Sequence, residues 1–244
     1  MSIDFINVIS IKGDKPIYGT QRYPVSEETT IELMGEFRSS GKEKSKIFFG
    51  LQCFDEKGEE IEAYKVFRIK ESLVLKSINS DGKSFSLIKK PEQWINSDEK
   101  AKYDMQYRKY LGFYYDGNIN RLPDYIIKSP AYNNFSDNII YLKTEIPKEI
   151  IEKIKPCETR VMNQFGNSAY DYSAAYEEIV PEIWKQFSAT YNGFSEGYGD
   201  IKGKYRLGTK SVTPVVLCNY NQNENAILEI KNVQIIIKDK PKFK

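Results

Sequence analysis

Histidine is absent from the 244-residue chain. Its absence removes the commonest general base and metal ligand, and with them the Ser-His-Asp and Cys-His arrangements of nucleophilic catalysis. Cysteine is scarce. Cys53, Cys157 and Cys218 are odd in number and lack Cys-x-x-Cys spacing, so neither a disulfide framework nor a zinc site is indicated. Charge of one sign is missing too: 36 Lys and Arg stand against 34 Asp and Glu, interleaved along the chain. Neutralisation of nucleic-acid phosphates is poorly supported, and no nucleic-acid partner is expected. The basic stretch 238–244 reads as a solvated end. No run approaches the roughly 18 apolar residues of a membrane span, and the first residues show no leader pattern. Neither membrane insertion nor a signal peptide is expected.

What the chain has in abundance is aromatic side chains, with 18 Tyr and 13 Phe. Such rings favour pleated, half-buried surfaces, and they also serve as rigid binding platforms. Period-two patterning is strongest at the two ends. In 30–38, Ile31, Leu33, Gly35 and Phe37 alternate with Glu32, Met34, Glu36 and Arg38, a strand with one wet face. The next strand, 47–55, places Ile47, Phe49, Leu51 and Cys53 on one side and Phe48, Gly50, Gln52 and Phe54 on the other. Asp55-Glu56-Lys57-Gly58 reads as a hairpin turn leading to a third strand, 61–68, in an antiparallel meander. Strands are also expected at 184–192, 204–210, 211–220 and 226–238. Pro214 suggests an edge or bulge, and Lys231-Asn232 a bend.

Between about 70 and 181 the periodicity weakens, and Tyr, Asn, Asp and Pro accumulate. Short strands are expected at 73–76, 84–89, 110–115 and 139–143, with helical turns at 147–154 and 97–105. The chain is therefore expected to be all-β: an antiparallel β-sandwich from 1–69 and 182–244, carrying 70–181 as a large insertion.

Several of these runs resemble carbohydrate-binding-module-like jelly rolls, of the kind found in phage tail-fibre and bacterial surface proteins. The resemblance lies in Ile31–Arg38, in Phe48-Phe49-Gly50-Leu51-Gln52-Cys53-Phe54-Asp55 through Ile61, in Trp184, in Arg206-Leu207-Gly208-Thr209-Lys210 and in Asn219-Tyr220-Asn221. It implies a jelly-roll sandwich and a virion or cell-surface setting. The acidic calcium ligands of many such modules have no counterpart before the last strand, where Lys231-Asn232 stands, so no metal and no cofactor is expected.

Four constellations carry candidate chemistry. The first is the set Tyr103, Tyr107, Tyr110, Tyr114, Tyr115, Tyr125 and Tyr132 with Arg108 and Arg121, either a sugar platform or rings that pack the insertion. The second is the polar loop 163–172, a mount for hydroxyl-reading amides or an ordinary turn. The third is the outward face with Phe48, Gln52, Phe54 and Arg38, open to ligand or covered by the insertion. The fourth is the carboxylates Asp55, Glu56, Glu59, Glu60, Glu177, Glu178 and Glu182, a hydrolase pair or solvated turn charges; the latter fits their setting. No catalytic residue is assigned. Trp184 is expected to plug the sandwich edge. The expected function is non-catalytic binding of a glycan or glycoconjugate. The site is expected at Tyr107, Arg108, Tyr114, Tyr125, Asn163, Asn167, Tyr170 and Tyr172. The alternative is a structural subunit that docks onto other subunits of an assembly through its aromatic face.

Overall fold

A computed structural model describes residues 8–97, 109–128, 131–165, 171–195 and 202–238. Among them the chain is all-β, with antiparallel strand pairing throughout the sheets. It divides into two compact units. One comprises the described residues up to 61, then 171–195 and 202–238. The other comprises those between 62 and 165.

The first unit is a β-sandwich. One sheet has the order β1 (Ile9–Lys12), β15 (Ile227–Ile237), β4 (Ile31–Ser39), β13 (Lys185–Tyr191). The other runs β12 (Asp171–Ile179), β5 (Lys46–Phe54), β14 (Ser211–Cys218), β2 (Lys15–Tyr18), with β3 (Tyr23–Pro24) also on β14. Alternation places Ile31, Leu33 and Phe37 of β4 inside, facing Ile47, Phe49 and Leu51 of β5. The Phe37 ring meets Phe49 edge-on at 5.1 Å and Phe187 at 5.8 Å, which locks the two layers together.

The expected meander does not form. β4 pairs with β13 and β15, and β5 with β12 and β14, so residues 40–45 carry the chain from one sheet to the other. Both strands have a continuous apolar row, and stacking those rows face to face buries more than setting the strands side by side. Residues 61–68 hold a helical turn, α1 (Ala63–Val66), rather than a third strand. No strand forms at 204–210. Residues 171–179, read from sequence as the end of the insertion, are β12 and pair with β5.

Pro214 lies on a central strand. Its carbonyl accepts from Gly19 N at 2.8 Å, so its missing N–H faces the break between β2 and β3, where no ladder bond is needed. The bend at Lys231-Asn232 is a bulge, with Asn232 at φ 53°. Trp184 does not plug the edge. It stands just before β13, half-buried, and is on the outer face by its contacts with Arg38, from the outward row of β4, and Lys231. There the Arg38 guanidinium and the Lys231 ammonium lie 4.8 and 4.4 Å from its ring centre. Arg38 is paired with Glu229, and Lys231 with Glu36 at 3.2 Å, so the outer face is a lattice of neutralised charges around one indole.

The second unit is a six-stranded sheet, ordered β10 (Ile139–Tyr141), β7 (Ser84–Leu87), β6 (Arg68–Ile78), β11 (Arg160–Gln164), β8 (Tyr110–Tyr114), β9 (Tyr125–Ile127). One face carries Leu73, Phe85, Leu111, Phe113, Ile140 and Val161, packed with Trp94, Tyr132 and Phe135 from the loops. The expected helical turn near 147–154 is α2 (Lys148–Ile151). The other, at 97–105, falls almost wholly outside the described residues. Among the described residues, no helix is long and apolar enough to cross a membrane.

Candidate functional site

The outer face of the five-stranded sheet is where the sandwich is least ordinary. On β5 the outward row is Lys46, Phe48, Gly50, Gln52 and Phe54, too apolar for a solvated surface. Phe54 is covered by the Arg22 guanidinium, 3.8 Å above its ring. Gln52 donates to Glu60 at 2.9 Å. Phe48 is only 6% exposed because three tyrosine rings stand around it. Tyr172, Tyr176 and Tyr220 have ring centres 4.9, 5.0 and 4.8 Å from that of Phe48. The last two meet it nearly edge-on, at 80° and 79°. Each such contact is worth about 0.5–1.5 kcal/mol beyond burial. Across β5, Leu217 of β14 is directly opposite Phe48, and Pro16 of β2 opposite Leu217, so the apolar row continues.

Local irregularity gathers the tyrosines. Residues four apart on a regular strand are about 13 Å apart, too far for both to touch one ring. Tyr172 and Tyr176 do so because β12 slips register twice against β5, between Asp171 and Ala175 and again between Ala175 and Glu178. Glu177, at φ 52°, lies in the second slip. Gly50 allows the close approach: a Cβ there would come within 1.5 Å of the Asp171 carbonyl oxygen and 2.6 Å of Tyr172 Cα. Tyr220 arrives from the turn after β14. Asn219, at φ 52°, donates to the carbonyls of Ile11 and Gly13 at 3.1 and 3.0 Å. Tyr220 N then donates to Lys46 O at 3.0 Å, and Lys46 N to Gln222 Oε1 at 2.7 Å.

The resulting cluster has an apolar floor and amphipathic walls. Tyr172 and Tyr220 are half-buried, whereas Tyr176 is 67% exposed. Such a surface can stack against a flat, weakly polar ligand and exchange hydrogen bonds through phenolic hydroxyls.

Of the residues expected at the site, Tyr172 is in this cluster. Tyr114 and Asn163 are not surface groups: both are fully buried, contrary to their expected place on a ligand-facing surface. Tyr114 is fully buried on β8; its hydroxyl accepts from Arg68 Nη1 at 2.8 Å and donates to the Gln164 amide oxygen at 2.9 Å. The Gln164 nitrogen in turn donates to the carbonyls of Tyr64 and Phe67. Asn163, equally buried on β11, accepts from Ile95 N at 2.8 Å and donates to Tyr110 O at 2.9 Å. Both are interior connectors, because buried polar groups must find partners inside. Tyr125 is half-buried against Phe113, and burial, then Glu149, raises its phenol pKa. Tyr107, Arg108, Asn167 and Tyr170 lie outside the described residues.

The other insertion aromatics are mostly packed. Tyr110 stacks on Tyr64 at 5.0 Å, and the buried Tyr132 hydroxyl donates to Ile95 O at 2.7 Å. The Tyr115 phenol is pushed up to about 12 by burial, then by Asp124 and Tyr125. Arg121 grips Asp124 with both nitrogens at 2.7 Å and Asp116 at 2.9 Å, a closed charge cluster. Sequence reasoning missed Tyr176 and Tyr220 as site residues. The available signal was Phe48 itself, an aromatic on the wet side of a strand that requires a cover. Compared with family models, curated proteins and solved structures, the chain matches none.

Proposed function

We propose that the protein is a non-catalytic carbohydrate-binding module whose ligand stacks on the tyrosine cluster around Phe48. The observation that carries this reading is the convergence of Tyr172, Tyr176 and Tyr220 on one ring, with Tyr176 left 67% exposed. A large aromatic held in place yet open to solvent presents contact area at little entropic cost on binding. A virion or cell-surface adhesion role belongs to the same proposal and rests on the resemblance to jelly-roll modules.

A second reading has its own support. Ile179 and Ile183, 51% and 76% exposed, follow Tyr176 along the same edge of the sandwich. This favours docking onto another subunit of an assembly. The two readings separate on a glycan array and in light scattering of the purified chain. Carbohydrate binding predicts saturable glycan capture that Tyr176→Ala abolishes while the fold is retained. Docking predicts no glycan signal and a partner interface of about 800 Å² per side, sensitive to Ile183→Asp as well.

A further inference from the structure

We infer that Asp171 is a positioning residue: its buried carboxylate holds the start of β12 so that the Tyr172 ring stands over Phe48. Its consequence for binding rests on the function proposed above; its structural content does not. Asp171 is 4% exposed and points inward, whereas Tyr172, the next residue, points out. One carboxylate oxygen of Asp171 accepts three hydrogen bonds: from Ser173 N at 2.9 Å, Ser173 Oγ at 2.5 Å and Tyr191 OH at 2.9 Å. Ser173 Oγ also accepts from Gly203 N at 2.9 Å. Tyr191 is itself fixed, fully buried on β13 and stacked on Tyr205, whose hydroxyl donates to Thr29 O at 2.9 Å.

Tyr172 is thus bracketed by two residues tied to β13 and to the turn at Gly203. On its β5 side, Gly50 leaves the space that the backbone of 171–172 fills. A carboxylate suits this position, since the three groups that hydrogen-bond to it, two of them from Ser173, are all donors. The slip that follows, between Asp171 and Ala175, releases β12 from regular pairing. The Asp171 bonds therefore set the placement of Tyr172 where the ladder does not. Tyr220 reaches the same Phe48 ring through Asn219 and Lys46, contacts in which Asp171 has no part.

A rival role for Asp171 is compensation of the buried Arg206 charge, because each bears on the ionisation of the other. Fluorine NMR decides between them on the full chain, with fluorotyrosine placed at position 172 and, as a control, at 220. Ring currents from Phe48 give each label a shift distinct from that of the unfolded chain. In Asp171→Ala the label at 172 should move towards the unfolded position, or split, while the label at 220 stays. In Asp171→Asn, which keeps the acceptor oxygen but removes the charge, the label at 172 should stay. Should Asp171→Ala fail to fold, Ser173→Ala and Tyr191→Phe remove the donors singly and should shift the label at 172 alone. An unmoved label at 172 in folded Asp171→Ala or in both donor variants overturns the inference. So does an Asp171→Asn spectrum that matches Asp171→Ala, which would assign the carboxylate to charge compensation. Absence of glycan binding by the unaltered protein would remove the proposed function and leave these spectra decisive.

Discussion

The two units handle the same residue type in opposite ways. In the six-stranded unit, Tyr110, Tyr114 and Tyr132 turn inward, and their hydroxyls or rings join the interior framework; the exposed Tyr141 is on the edge strand β10. In the sandwich, Tyr191 and Tyr205 are also interior, but Tyr172, Tyr176 and Tyr220 stand on the outer face around the Phe48 ring. The difference follows from what each sheet already has. The sandwich fills its interior with the aliphatic and phenylalanine rows of β4 and β5, so its outer tyrosines add little to the core. Every strand of the inserted unit except β6 has at most 5 residues, and tyrosines such as Tyr132 help to complete its interior. An aromatic-rich segment is therefore not by itself a binding segment: rings needed for the core are unavailable to a ligand.

Substitutions can break this contrast. The largest effect is expected for Tyr132→Ala, which empties a fully buried aromatic position and removes the bond to Ile95 O. Urea denaturation should show a loss of about 3–5 kcal/mol. A loss as small as that from an exposed ring would end the claim that the inserted unit needs its tyrosines. Tyr114→Phe is smaller, because it deletes only the hydroxyl shared by Arg68 and Gln164; about 1–3 kcal/mol is expected from the same measurement. At the other extreme, Tyr176→Ala removes a ring that is mostly in solvent but meets Phe48 edge-on, and should cost only about 0.5–1.5 kcal/mol.

The pH dependence of the sandwich sharpens the comparison further. Burial raises the Asp171 carboxyl pKa, opposed by hydrogen bonds from Ser173 and Tyr191 and by the Arg206 charge. Facing it are Tyr191 from β13, Cys53 from β5 and Arg206. The folded state thus binds this proton more readily than the unfolded state. The contribution is fully present below the ordinary aspartate value of about 3.9 and is lost as pH rises through the folded-state value. Denaturation midpoints taken upward from pH 4 should fall less steeply in Asp171→Asn than in the unaltered chain. A mildly oxidising thiol reagent offers the smallest perturbation. Cys157 is exposed and should react at once, whereas Cys53 and Cys218 are buried. Burial raises both of their thiol pKa values, that of Cys218 to about 12. More than one fast-reacting thiol per native chain would show that the sandwich interior is not closed.

Much of the strand content was legible. The alternation read over 30–38 appears as the inward and outward rows of β4, and Lys231-Asn232 falls in a bulge, whereas Pro214, expected at an edge or bulge, lies on a central strand. The partners of these strands were not legible. A hairpin-like spacing between β4 and β5 suggested adjacency, yet they occupy opposite layers, because the choice depends on which apolar row each must cover. Of the candidate site, Phe48 and Tyr172 were readable as an outward ring and a loop tyrosine. Tyr114 and Asn163 were misread because a strand with both faces buried has no polar side for alternation to reveal: β8 is buried at every residue, as is most of β11.

The sequence by itself determined that the chain is β-rich, that a patterned N-terminal part and a patterned C-terminal part flank a less regular middle, and that Phe48 stands on an outward row, there to meet a ligand or the company of other side chains. These follow from period-two chemistry, which acts within a few residues. Only the tertiary structure decided which rings supply that company. Tyr172 and Tyr176 meet on one phenylalanine through two register slips and a glycine at position 50, and Tyr220 joins them from the turn after β14, far along the chain. Local propensity cannot encode that meeting, because it depends on how closely two backbones approach once the strands have paired.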